Sequence, residues 1–200
     1  MFFEPDKNDH GLPYNPIKAC VVPRPIGWIT TLNEEGLVNA APFSFFNVLS
    51  YNPPYVIFSG GGHIEDHEDK DTVANVRKTG EFVYNMAVWD QREQMNDSGL
   101  IVDRTVDELA ETGLETLPST LVKPPRIKGS PVHLECELFE IVSLPGNSEL
   151  ANHSAVFGKV VGAHIDDDGI TEDGIFDVAR YRPLSRLGYK DYAWTDHSVI

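Results

Sequence analysis

From Pro23 to Ser59 the chain alternates short runs of β-branched and aromatic residues with proline and glycine, a texture that suits strands and leaves no room for a long helix. Ile26-Gly27-Trp28-Ile29-Thr30-Thr31-Leu32 leads into Asn33-Glu34-Glu35-Gly36, and Leu37-Val38-Asn39-Ala40-Ala41 follows. Apolar arms about a Gly-containing tetrapeptide predict a β-hairpin. Pro53-Pro54 lacks ladder donors, so a turn is expected there, before a strand at 55–59.

The same reading expects strands at 17–22, 81–88, 132–144 and 155–165, with a short one at 177–181. Helices are expected at 71–79, with Asp71 or Thr72 as N-cap and Gly80 as the stop, and at 90–98 and 106–112. Gly60-Gly61-Gly62 should open a flexible acidic loop to Asp69, and Asp166-Asp167-Asp168-Gly169 is a turn signal. Pro118, Pro124, Pro125 and Pro131 mark a long irregular crossing. Many short strands with few inserted helices predict a mainly β, closed antiparallel barrel rather than βαβ units. No linker, repeat or composition shift divides the chain, so an irregular lead-in (1–16), one domain (17–192) and a tail (193–200) are expected.

Two hundred residues, 41% hydrophobic, suffice for one sizeable core. A formal charge of −15 argues against nucleic acid or an anionic membrane as partner, and obliges any phosphate site to be made locally. No stretch approaches the ~20 apolar residues of a membrane span. Met1-Phe2-Phe3-Glu4-Pro5-Asp6 lacks the basic start of a signal peptide, so a cytoplasmic location is expected. Cys20 and Cys136, far apart and outside any CxxC, read as reduced thiols. His63 and His67, among carboxylates, read as a solvated loop rather than a metal site, and His133 and His164 as structural.

Ser44 and Asn47, set among Phe43, Phe45 and Phe46, combine small hydrogen-bonding groups with flat apolar surface, as a planar heteroaromatic ligand requires. Successive strand side chains point to opposite faces, so the phenylalanines could instead fill a barrel and leave only backbone amides of 44–47 for a ligand. The pattern leaves both readings open. Lys70-Asp71-Thr72 stands where a helix should begin, and a helix N-terminus with a cation suits a phosphate. Ser59, Thr30 and Thr31 are candidate strand-end partners, and Arg24, Arg77 and Arg92 candidate extra cations. No GxGxxG follows a strand and no nucleophile elbow is present.

The run from Pro23 to Ser59 continues in an ordered series: Lys70-Asp71-Thr72 with Asn75, Thr79-Gly80-Glu81-Phe82-Val83 with Asn85, Lys123-Pro124-Pro125-Arg126, His133-Leu134-Glu135-Cys136-Glu137-Leu138, and Arg182-Pro183-Leu184-Ser185-Arg186-Leu187-Gly188. This series, across about residues 17–192, resembles the flavin reductase-like family. These are FMN-binding split barrels that include flavoredoxins and the reductase components of two-component monooxygenases. The resemblance implies an antiparallel Greek-key split β-barrel with a few peripheral helices, FMN as cofactor, and NADH or NADPH as electron donor. It implies an NAD(P)H-dependent flavin reductase or, alternatively, a flavin-binding electron carrier without NAD(P)H activity. It also implies a homodimer and a monooxygenase or other electron-accepting partner.

Carried onto this chain, the resemblance assigns flavin contacts to Trp28, Thr30, Thr31, Ser44, Phe45, Phe46, Asn47, Ser59, Lys70, Asp71 and Thr72. Leu187 and Tyr192, in the cationic and aromatic arm from Arg180 to Tyr192, would cover the ring. His153 would border the flavin and nicotinamide site and position the hydride donor. Many relatives carry basic residues before the Lys-Asp-Thr, whereas this chain has Glu65-Asp66-His67-Glu68-Asp69.

Overall fold

The computed structural model describes residues 1–61, 70–100, 112–147 and 151–197. A two-residue strand, β1 (Arg24–Pro25), precedes the expected hairpin of β2 (Gly27–Leu32) and β3 (Val38–Phe43). Its turn closes because Gly36 adopts φ +86° and donates to the Asn33 carbonyl at 3.1 Å, while Asn33 Oδ1 accepts from Leu37 N at 2.8 Å. A second hairpin follows, β4 (Phe46–Tyr51) and β5 (Pro54–Gly61), its tip at the proline pair. Helix α2 (Asp71–Thr79) comes after α1 (Ile17–Cys20) in chain order, and leads into β6 (Glu81–Met86) and α3 (Arg92–Asp97). The proline-rich crossing holds only β7 (Thr116–Leu117) and β8 (Arg126–Ile127). Two long strands, β9 (Val132–Leu144) and β10 (His153–Ile165), and two short ones, β11 (Leu184–Arg186) and β12 (Tyr192–Trp194), complete the described elements.

Seven strands form one antiparallel sheet in the order β3-β2-β6-β9-β10-β5-β4. Its two edges are consecutive in sequence, only Ser44 and Phe45 lying between β3 and β4, so the sheet must curl until they approach. The curl is visible in the contacts. Phe46 of β4 presses on Gly27 of β2, where a Cβ would stand 2.5 Å from its ring, and stacks on Tyr84 of β6 with centroids 4.6 Å apart. Phe43 of β3 packs on Phe58 of β5 at 4.8 Å. These rings, with Ile29, Val56, Phe82, Cys136 and Val156, fill the interior.

β2 is buried on both faces. Alternation sends Ile29 into the barrel and Trp28 outward into a second cluster with Ala40, Met95, Ile127 and Leu184. The second cluster is roofed by α3 and by a small sheet, β1-β11-β12. Glu135, fully buried, pins the proline-rich crossing: its carboxylate accepts from Thr120 N (2.7 Å), Leu121 N (2.6 Å) and Val122 N (3.1 Å), and His164 Nε2 lies at 2.5 Å. Burial would raise its pKa, but these donors outweigh it and hold the carboxyl below its usual value.

Several local expectations need correction. Residues 17–22 are not a strand: Pro16, with φ −74°, precedes the short helix α1, and only at Val21 does the backbone become extended. The stretch 177–181 is a 3₁₀ turn, Val178–Tyr181. Gly60 and Gly61 belong to β5, paired with Ser154 and His153, rather than to a loop. Helix α2 is capped by Lys70 without a side-chain bond, not by Asp71 or Thr72, because Thr72 Oγ1 is turned inward to accept from Asn39 Nδ2 at 2.7 Å. Gly80 stops α2 as expected, at φ +75° with its N–H on the Val76 carbonyl. The helix over 90–98 begins as a 3₁₀ turn, Trp89–Gln91. The lead-in holds a 3₁₀ turn, Pro5–Lys7, and β12 reaches Trp194. The expected helix at 106–112, except for its last residue, lies outside the described residues, as do His63 and His67.

Candidate functional site

Where β3 passes to β4, the chain must place three aromatic residues across the closing seam of the barrel. Phe43 and Phe46 turn inward, and Phe45, between them, turns out with 42% of its surface exposed. Its carbonyl is held by Ser59 N of β5 at 2.8 Å, which fixes the loop. Phe45 lines a cleft of about 330 Å³ together with Ser44, Lys18, Arg24, Arg186 and Tyr192. These residues come from the loop between β3 and β4, from α1, from β1 and from the C-terminal arm. Sequence spacing has no access to that convergence.

The Arg24 guanidinium lies 5.5 Å from the centre of the Phe45 ring, and the His153 ring 6.2 Å from it. His153 opens β10 opposite Gly61 of β5, which has no Cβ; one there would meet the imidazole at 2.2 Å. Burial, then the nearby charges of Lys18 and Lys70, lower the His153 pKa, favouring the neutral ring. Lys70 itself is exposed at the start of α2, whose first-turn N–H groups have no partner within the helix ladder. The resulting arrangement is a half-exposed aromatic ring with Arg24 and His153 near it and Lys18 and Arg186 on the same cleft, while Lys70 at the start of α2 is close enough to His153 to act on its charge. It can receive a flat anionic molecule.

Other residues singled out in the sequence sit differently. Trp28 is fully buried and its indole Nε1 donates to Ser98 Oγ at 2.9 Å. Thr30 Oγ1 donates to the Pro125 carbonyl at 2.5 Å. Thr31 Oγ1 accepts from Asn75 Nδ2 at 3.1 Å, which with the Asn39–Thr72 bond and the Lys78–Glu34 ion pair ties α2 to the first hairpin. These side chains, with those of Thr72 and Phe46, are spent on the interior and do not reach the cleft. Asn47 is exposed on β4, its Oδ1 accepting from Val48 N. Asp71 and Ser59 are half-buried. Leu187 accepts from Arg24 Nη2 through its carbonyl, and Tyr192 donates to Asn96 Oδ1 at 2.8 Å from the cleft wall. Among the candidate cations, Arg24 joins the cleft, while Arg92 lies over Trp89 and pairs with Glu93. Lys18, Asn96 and Tyr189 line the cleft without having stood out in the sequence; each is distant along the chain and carries no motif.

The curled sheet is the antiparallel split barrel that the resemblance implied, mostly strand with few helices. A family model described as the flavin reductase like domain matches residues 19–185. The chain therefore belongs to the flavin reductase-like family. An uncharacterised protein of Aquifex aeolicus is 36% identical over 192 residues, 96% of this chain and 94% of that one. Among solved structures, 2-nitrobenzoate 2-nitroreductase NbaA of Pseudomonas fluorescens is 31% identical with a TM-score of 0.84, over 100% of this chain and 94% of that one. Nitrilotriacetate monooxygenase component B of Bacillus cereus is 25% identical with a TM-score of 0.89, over 100% and 98%.

Proposed function

We propose that this chain is an FMN-binding oxidoreductase, an NAD(P)H-dependent flavin reductase. The observation that carries the proposal is the outward Phe45, set between Arg24 and His153. Family membership supplies the cofactor class. The residues fit the cofactor in kind. Phe45 offers an apolar face, Ser44 and Asn47 small polar groups beside it, and Lys70 with the first turn of α2 a place for one phosphate. Asp71 and Ser59 flank that corner, and the buried Thr30, Thr31, Thr72, Phe46 and Trp28 hold the strands and helix that shape it. FMN, when bound, supplies the hydride and electron chemistry. His153, its neutral form favoured by burial, would border the cofactor and orient the nicotinamide, and Tyr192 and the Leu187 segment would screen the site from water.

We further propose that the working unit is a homodimer. Val48, Leu49 and Tyr51 leave an apolar strip exposed along the edge strand β4, continuous with the Phe45 loop. One structural relative is component B of a monooxygenase, and on that likeness we include an electron-accepting oxygenase among the candidate partners. Among the described residues no helix is long and apolar enough to cross a membrane, and both cysteines are free, which fits a cytoplasmic protein.

The test is a visible spectrum of the purified protein followed by anaerobic addition of NADH or NADPH. Bleaching of the flavin band is expected. A bound flavin that stays oxidised identifies an electron carrier instead, and a protein that takes up no FMN refutes the proposal. Replacing Lys70 by Ala should weaken FMN by about 1.5–3 kcal/mol and leave riboflavin unchanged. Equal weakening of both would remove Lys70 from the phosphate.

A further inference from the structure

Lys18, Arg24 and Arg186 line the same cleft, and among the described residues no carboxylate forms an ion pair with any of them. In a chain of net charge −15, three cations around one hollow that no described carboxylate pairs favour an anionic ligand there. The two guanidiniums are held in place by the protein's own backbone. Arg24 Nη1 donates to the carbonyls of Lys18 (2.6 Å) and Val21 (2.8 Å), and its Nη2 to that of Leu187 (3.1 Å). Its Nε is buried and has no acceptor. Arg186 lies 4.3 Å from the centre of the Tyr192 ring and donates to the Tyr189 carbonyl. Burial, then the nearby Arg186, oppose the charge on Arg24.

An oxyanion between them removes that repulsion and meets pre-organised donors. Beside these cations the lining offers flat apolar surface from Phe45, Tyr189, Tyr192, Ile26 and Pro42, with the polar side chains of Ser44 and Asn96 among them. The volume, about 330 Å³, is near the lower limit for small-molecule sites and suits one ring with an acidic group better than an extended dinucleotide. Resting on the flavin reading of the neighbouring Phe45 face, we propose that this corner is a subsite for the second reactant, and that the reactant is a small aromatic acid. Its carboxylate meets Arg24 and Arg186, and its ring lies against Tyr192, the Phe45 face being left to the flavin.

Isothermal calorimetry on the full chain, as purified, tests this with benzoate and its neutral analogue benzamide as probes. Benzoate is expected to bind about tenfold more tightly or better, the worth of one charge-assisted contact. Arg186→Gln should abolish the preference while leaving benzamide binding and the circular dichroism spectrum unchanged. Lys18→Gln, at another lining residue of the cleft, guards against a misfolded first variant and should reduce the preference in part. Equal affinities in the unmodified protein overturn the proposal, as does a preference that survives both substitutions. So does a tenfold loss of NADPH or FMN binding in Arg186→Gln with benzoate unaffected, because the corner then serves a nucleotide phosphate. Calorimetry with benzoate needs no bound flavin. Failure to take up FMN therefore refutes the functional reading, and loss of the benzoate preference refutes this one alone.

Discussion

Trp28 and Phe45 show how much one side-chain direction decides. Both are aromatic residues on the same half of the barrel, yet one indole is sealed against Ser98 while the other ring faces the cleft. Trp28→Phe should cost about 1–3 kcal/mol of stability in urea unfolding, through a lost bond and a partly empty site, and change FMN affinity in the folded protein by less than about twofold. A selective loss of FMN would return Trp28 to the binding surface. His133 gives a pH prediction. Burial first, then Arg126 and His164, push its pKa down to about 4, and its Nδ1 sits 2.9 Å from Asn85 Oδ1. Asn85 Oδ1, which also accepts from Ile127 N, takes a bond from the imidazole Nδ1–H, and the lowered pKa favours the neutral ring in the fold. A folded pKa below the unfolded value near 6.5 means that the unfolded chain binds the extra proton. Stability should therefore fall as pH drops from about 6.5 to 4, by up to about 3 kcal/mol from this group. His133→Gln should flatten that limb of a plot of urea midpoint against pH. An unchanged slope would show that the acid loss lies elsewhere, since Glu135 contributes only at lower pH.

At the level of elements, the pairing of β5 with β10 places His153, and Gly61 makes the pairing possible. Gly61→Ala should drive the imidazole off Phe45, lowering the melting temperature modestly and weakening FMN or its reduction rate well beyond the stability effect. Gly158→Ala is the control: its Cβ would meet Phe82 at 2.2 Å in the barrel interior, further along the strand that His153 opens. Overpacking there costs about 1–3 kcal/mol and should leave flavin properties of the folded fraction intact. If both variants lose flavin in proportion to stability, His153 has no separate role in the site.

For the whole molecule, the C-terminal arm is a structural part of the barrel before it is anything else. Leu184 is buried in the second core, its N–H reaches the Ala87 carbonyl at 2.9 Å, and β11 pairs with β1. Removing the residues after Pro183 should therefore unfold the region around Trp28 rather than merely uncover a ligand. Thermal melting of the truncated chain checks this, and a truncation that melts like the full chain would contradict it. Assembly is better probed on the β4 edge. Light scattering should give twice the chain mass for the full protein, and Val48→Glu with Leu49→Glu should halve it without loss of β structure. A full-length monomer that binds FMN normally would end the dimer proposal.

Hairpins, Gly36, Gly80 and the β-rich texture were legible from residues 26–41, 71–80 and 132–165, because turn chemistry and alternation are local. The family was legible too, from an ordered series of short motifs. Other features needed the closed barrel. Alternation along β2 could not show that both its faces are covered, so Trp28, Thr30 and Thr31 read as candidates when the fold uses them as interior supports. Residues 17–22 have strand composition, yet 17–20 form α1, because Pro16, already in helical φ and ψ, outweighs propensity over so short a stretch. The cleft joins Lys18, Arg24, Phe45 and Arg186 across more than 160 positions of sequence. Which of three neighbouring phenylalanines faces outward was set by the seam where β3 and β4 meet, since a curled sheet has room inside for Phe43 and Phe46 only. Local chemistry names the residue types; closure of the sheet chooses which of them a ligand can touch.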